Sequence, residues 1–351
     1  MGEAAARLVG HTPLQLQPDW LEKLRTIQRP VPGGGPLLYE LVPGGSVEFI
    51  YRGPPVTYRV NEDGLRSDRS YARPKPPGVR RVLLLGDSVL FGLGVPVDDT
   101  LAPRLEKLLP GVEAINSGVG GYNTFSQRIW LETRGPAWQP DAVVVVYCPN
   151  DVDEPLEQFS IQTAQALPEF PPESIPNPAY HAGQVDQFQR RAAATTRRRG
   201  LREFVQAAQR RSALVNLCLQ PFAFGRRSRS HERCLRAMMD LHSPEYAWLD
   251  RQLRAIVGLA RARKAPVYFV YVPVRYELDP GDAMRRELGR HVRELAARCG
   301  MEVVDVGEAL AAIGESHLDV THLTAEGHRV VAEALARALA PRAARRAPPA
   351  G

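Results

Sequence analysis

Four short stretches place reactive side chains where the chain changes direction. The first is "RRVLLLGDSVLFGLGV" (80–95), in which an apolar run stops at Asp87-Ser88 and glycines follow at positions 92 and 94. A serine where a strand turns into a helix projects its hydroxyl from the sheet edge, and its own N–H is poised to meet a developing oxyanion. The second, "NSGVGGYNT" (116–124), is glycine-rich, so its backbone can approach a ligand closely, and Gly121 can point an N–H into the site. The third, "CPND" (148–151), offers the side-chain amide of Asn150 to the same oxyanion. The fourth, "HLDVTHLTAEGH" (317–328), carries Asp319 and His322 three residues apart, ahead of a helix that Thr324 is placed to cap. A hydroxyl is a poor nucleophile until a base takes its proton, and that base needs a carboxylate to hold its tautomer. Asp319 and His322 supply both from one local loop.

Each stretch taken alone has a plainer reading. Ser88 can be an N-cap, the glycine run a strand-to-helix turn, and Asn150 the start of an Asx-turn. His317 is an alternative base, and His328, inside the following helix, reads as packing. The joint placement is harder to explain as packing. Five apolar runs, "RVLLLG" (81–86), "VEAIN" (112–116), "DAVVVVYC" (141–148), "PVYFVYV" (266–272) and "MEVVDV" (301–306), alternate with segments of helical period such as 99–109, 124–135 and 284–300. That alternation predicts an α/β fold with a five-stranded parallel sheet covered on both faces. Ligand sites in such sheets lie outside the carboxyl ends of the strands. Ser88, Gly121 and Asn150 follow the first three runs, and Asp319 and His322 follow the fifth.

Composition sets the wider limits. The hydrophobic fraction of 44% and the charged fraction of 24% are ordinary for a soluble protein of 351 residues. No apolar run approaches the roughly 18 residues of a membrane span, and the N-terminal twenty residues lack a signal-peptide pattern, so a cytoplasmic location is expected. Four cysteines without paired spacing read as reduced thiols. The net charge of +6 is carried largely by arginine, with thirteen between Arg190 and Arg236 against Glu203 and Glu232. Without interleaved aromatics or zinc-finger spacing this argues against a nucleic-acid partner; it reads as a solvated face, with contact to an anionic membrane surface as the alternative. No metal constellation or P-loop is present, so no cofactor is expected. Nothing in the sequence sets the oligomeric state.

The four blocks together resemble the SGNH (GDSL-like) serine hydrolase family, named for Ser, Gly, Asn and His and matched here by Ser88, Gly121, Asn150 and His322. The resemblance runs from about Val56 to Leu339 and includes "YRVNEDGLRS", "GDSVLFGLGV" and "TAEGH". It implies a flavodoxin-like three-layer α/β/α core and action on acyl groups of small-molecule, lipid or carbohydrate esters. The absence of GxSxG argues against the α/β-hydrolase fold. Where the family's third block often reads Gly-x-Asn-Asp, Cys148 holds the glycine position, and its side chain is expected to narrow the site or shift Asn150. The reading is a serine ester hydrolase with a Ser88-His322-Asp319 triad and an oxyanion hole of the Ser88 and Gly121 N–H groups and the Asn150 amide. The alternatives are an acyltransferase using the same triad and, in another class, a non-catalytic binding domain. The expected organisation is an N-terminal β-containing appendage (1–80), a core in two pieces (81–150 and 245–340), a Pro-rich linker and helical cap between them (151–244), and a disordered tail (341–351).

Overall fold

Among the described residues, two antiparallel strand pairs precede the main sheet. The computed structural model describes residues 20–32, 35–152, 170–195, 236–279, 281 and 283–340. Helix α1 (Trp20–Thr26) leads into β1 (Gln28–Pro30) and β2 (Tyr39–Leu41), and β3 (Ser46–Ile50) pairs with β4 (Pro55–Arg59). Apolar side chains of this region, among them Phe49, Tyr51 and Tyr58, join the same buried cluster as one face of the core. The described N-terminal strands thus pack against the core.

The five apolar runs form the strands β5 (Arg80–Leu85), β6 (Val112–Asn116), β7 (Ala142–Tyr147), β8 (Val267–Tyr271) and β9 (Glu302–Asp305), all parallel, in the spatial order β6-β5-β7-β8-β9. β5 and β7 are buried along almost their whole length because both faces are covered. Alternate residues feed different layers. Val82, Leu84, Val144, Val146 and Val270 pack with helices α3 (Leu101–Leu108) and α9 (Ala325–Leu339). Leu83, Leu85, Val143, Val145 and Phe269 pack with α4 (Thr124–Thr133), α6 (Pro244–Arg261) and α7 (Ala283–Arg298). This is the three-layer α/β/α arrangement the sequence predicts. Helix α2 (Ser88–Phe91) is a single turn directly after β5, α5 (Pro178–Thr195) lies in the long insertion, and α8 (Gly307–Ala312) follows β9.

Side-chain caps set the helix starts. Asn123 accepts from Ser126 N, Ser243 from Tyr246 N and Thr324 from Gly327 N. Gly300, with φ of 90°, follows the end of α7. Helix α6 carries the apolar stripe Trp248, Leu249, Leu253, Ile256 and Val257 into the core, so it is a layer of the fold. The described start of the insertion packs back on it, with Trp248 Nε1 donating to the Glu173 carbonyl at 2.8 Å. The expected cap helix over 201–220, most of the arginine-rich stretch and the tail 341–351 lie outside the described residues.

In a sheet of this order, the first strand sends its connection to one neighbour and the chain returns to the other side. The crevice between those connections, here beside β5 and β7, is the ligand position of flavodoxin-like folds.

Candidate active site

β5 ends at that crevice, and the chain turns sharply into α2. The residue that caps the turn is Asp87: its Oδ1 accepts from Val89 N at 2.8 Å. Ser88 is the first helical residue and not the cap, so its side chain is free for other contacts. Its Oγ lies 2.9 Å from His322 Nε2. His322 Nδ1 lies 2.9 Å from Asp319 Oδ2. The Asp319 carboxylate is held on its other oxygen by the backbone N–H groups of Thr321 and His322, each at 2.8 Å. Burial alone would raise the Asp319 carboxyl, but His322, through charge and hydrogen bonds, and the Tyr51 hydroxyl outweigh it and hold the group below the usual carboxylate range. The three side chains expected to act together are in hydrogen-bonded sequence.

Asn150, in the turn after β7, donates Nδ2 to Asp87 Oδ2 at 2.8 Å, while its Oδ1 has no hydrogen-bond partner among the described residues. Asp87 is fully buried; burial pushes its carboxyl above the ordinary value, and the hydrogen bonds from Asn150 and Val89 oppose that only in part. The loop after β6 passes against α2 so closely that a Cβ on Gly118 would stand 2.6 Å from Phe91 N and 3.0 Å from Asp87 O. Gly121 takes φ of 85°, the left-handed region that favours glycine. The Gly120 carbonyl accepts from Tyr39 OH at 3.1 Å. In a trans peptide N–H and C=O point opposite ways, so that bond turns the Gly121 N–H away from Tyr39.

The remaining candidates separate cleanly. His317 is buried, its Nε2 2.9 Å from the Pro273 carbonyl and its Nδ1 2.9 Å from Ser316 Oγ, and burial lowers its pKa to about 4. Both of its ring nitrogens thus face partners other than Ser88, whereas the ring nitrogen beside Ser88 Oγ is that of His322. His328 is buried in α9, with its pKa lowered to about 3, first by burial and then by Arg66, Arg104 and His322. It packs, as expected. The Cys148 side chain is buried in the cluster that holds Val144 and Val146 and also Val89 and Leu90 of α2, because strand alternation sends it into that layer. Among the described residues no group of three or more His, Cys, Asp or Glu could hold a metal ion.

Residues 84–330 match the GDSL-like Lipase/Acylhydrolase family. The chain belongs to that family. Solved structures of similar shape include an acetyl xylan esterase, AlAXEase (14% identity, TM-score 0.42, covering 74% of this chain and 100% of that one). A lipase/acylhydrolase from Enterococcus faecalis (14%, TM-score 0.41, 74% and 95%) is another. A third is the catalytic mutant H194A of Axe2, an acetylxylan esterase from Geobacillus stearothermophilus (16%, TM-score 0.40, 74% and 93%). No curated protein sequence matches the chain. No helix among the described residues is long and apolar enough to cross a membrane.

Several side chains around this GDSL-like site come from residues before the matched segment. Tyr51 OH donates to Asp319 Oδ2 at 2.7 Å and lies 3.3 Å from His322 Nδ1. Arg52 Nε stands 3.9 Å from the same carboxylate oxygen. Tyr58 OH accepts from Gly94 N at 2.8 Å. The buried Arg66 guanidinium donates to the carbonyls of Phe91, Gly92 and Val95 and lies over the Tyr58 and Phe91 rings, at 4.5 and 4.8 Å from their centroids. Burial lowers its pKa to about 10. Sequence reasoning placed none of these at the site. The one signal was "YRVNEDGLRS", which contains Tyr58 and Arg66 and lies within the stretch of family resemblance.

Proposed function

We propose that this acylhydrolase-family protein is a serine ester hydrolase in which Ser88 is the nucleophile, His322 the base and Asp319 the orienting carboxylate. The carrying observation is the unbroken series from Ser88 Oγ through both ring nitrogens of His322 to Asp319 Oδ2, each step 2.9 Å. His322 Nε2 takes the Ser88 proton as Oγ bonds to the ester carbonyl carbon, and the carbonyl π pair moves onto oxygen. The N–H groups of Ser88 and Gly121, which donate to no group among the described residues, and the second N–H of the Asn150 amide are the donors for that oxyanion. Collapse of the tetrahedral species expels the alcohol, which takes the proton from His322. Water then repeats the sequence on the acyl-Ser88 ester, releasing the acid and restoring the serine.

The substrate class is an acyl ester of a small molecule, lipid or carbohydrate. An acyltransferase would use the same groups with an acceptor alcohol in place of water. The test is a panel of nitrophenyl esters from acetyl to long acyl chains, assayed with and without sugar or alcohol acceptors, on wild type and Ser88→Ala. Turnover lost in Ser88→Ala supports the reading, and retained turnover sinks it. Acyl product formed on the acceptor would move the assignment to transfer.

A further inference from the structure

The hairpin β3–β4 lies outside the family-matched segment, yet its end meets the loop that carries the base. Asp319 Oδ2 receives two hydrogen-bond donors, His322 Nδ1 at 2.9 Å and Tyr51 OH at 2.7 Å, and Oδ1 receives the Thr321 and His322 backbone N–H groups. Three of those four donors belong to the loop 319–322 itself. Tyr51 is the only hydrogen-bond donor from outside that loop among the described residues. Its ring is buried and stands edge-on to the His322 ring, with centroids 5.4 Å apart and planes at 81°. The hydroxyl thus reaches the carboxylate while the ring bounds the imidazole.

The hairpin is itself fixed to the nucleophile side of the site. The stacked rings of Phe49 and Tyr58 join its two strands, with centroids 4.3 Å apart. Tyr58 OH accepts from Gly94 N, three residues beyond α2, and its ring stacks on Phe91 of α2. A Cβ on Gly94 would stand 3.1 Å from the Tyr51 carbonyl and 2.4 Å from Leu318 Cδ1, so hairpin, nucleophile turn and base loop meet at that glycine. The loop 317–322 has its own backbone bond, Leu318 N to His322 O at 2.7 Å. That internal bond shapes the loop but does not register it against Ser88.

We infer that Tyr51 is a positioning residue for the hydrolytic machinery, acting through Asp319 to hold the base loop in register with Ser88. The inference rests on the esterase reading above and extends the working site to a strand hairpin before residue 84. The groups facing the Asp319–His322 pair are Tyr51 and Arg52 from the hairpin, Asp87 and Ser88 from the nucleophile turn, and His317 from the loop. His328 from α9 also faces it, and Arg275, whose N–H bonds the Val320 carbonyl at 2.8 Å, lies behind it. Among these only Tyr51 hydrogen-bonds the carboxylate, and Arg52 Nε, 3.9 Å from the same oxygen, would have to move to replace it.

The test is Tyr51→Phe, which keeps the ring and deletes the hydroxyl, made in the wild-type and Asp319→Ala backgrounds of the full chain. The rates are normalised to folded protein and read with the best ester of the panel. Loss of a hydrogen bond to a charged group should lower kcat by about 10-fold with KM unchanged. In the Asp319→Ala background the same substitution should have no further effect, because non-additivity marks two groups that act as a unit. Wild-type kcat in Tyr51→Phe overturns the inference. So does an equal loss in both backgrounds, which would place the action on the imidazole or on packing. A second readout does not depend on turnover: the downfield imidazole N–H proton resonance, assigned through its loss in His322→Gln. It should shift or broaden in Tyr51→Phe, and an unmoved resonance overturns the proposal. A wild-type protein that hydrolyses no ester would instead count against the esterase reading, while the resonance still decides the role of Tyr51.

Discussion

Asp87→Asn separates the two tasks of the buried carboxylate at the nucleophile turn. Asn caps helices about as well as Asp, so its side-chain oxygen can keep the bond from Val89 N. Its NH2 then faces the Asn150 amide nitrogen that Asp87 Oδ2 now accepts at 2.8 Å, donor against donor. The variant loses one hydrogen bond to a charged acceptor, on the order of 1.5–3 kcal/mol. If that alignment is realised in the transition state, kcat falls by about 10–100-fold. Stability should move differently. Burial raises the folded-state pKa of Asp87 above its ordinary 3.8, so the group favours folding while protonated and that contribution is lost as pH rises through the folded value. Asn carries no such charge. The thermal midpoint of Asp87→Asn minus that of wild type should therefore increase from acid to neutral pH. The assays are short-chain ester turnover and calorimetry across pH. Unchanged kcat, or a midpoint difference that shrinks as pH rises, would refute the reasoning.

Asn150→Ala should lower kcat by about 10²–10³ with little change in KM, and an effect confined to KM would mark substrate binding in place of oxyanion stabilisation. The pKa values of His328 and His317, lowered from 6.5 to about 3 and about 4, mean that both stay neutral in the folded protein while the unfolded chain takes up protons. Stability should therefore fall as pH drops below 6.5, at on the order of 1.4 kcal/mol per pH unit for each fully uncoupled histidine. In His328→Leu the slope between pH 6 and 4 should shrink by about one proton, and a slope equal to wild type would mean His328 is protonated in the fold.

The strands were legible because a parallel sheet covered on both faces needs continuous apolar runs, and "VLLL" and "AVVVVY" have few other uses. Asp319 and His322 were legible because the pair is local. Their distance from Ser88 follows from topology, since both end up at the carboxyl ends of parallel strands. Tyr51 and Arg66 were not legible as site residues. Tyr51 meets Asp319 across 268 positions, and Arg66 reaches carbonyls, which have no side-chain signature. An aromatic in a short hairpin reads as core, which Tyr51 also is. The layer that Cys148 enters follows from the alternation of β7, which also places Val144 and Val146 there with Val89 and Leu90 of α2.

The most direct test of the central claim is covalent. Wild type and Ser88→Ala are incubated with a fluorophosphonate, and the adduct is mapped by peptide mass spectrometry. A phosphoryl centre attacked by an activated serine loses fluoride and stays bound to that oxygen. The account predicts a single adduct on Ser88, no adduct in Ser88→Ala, and loss of ester turnover in step with labelling. Labelling of another residue in step with inactivation, or full turnover by Ser88→Ala, would contradict it.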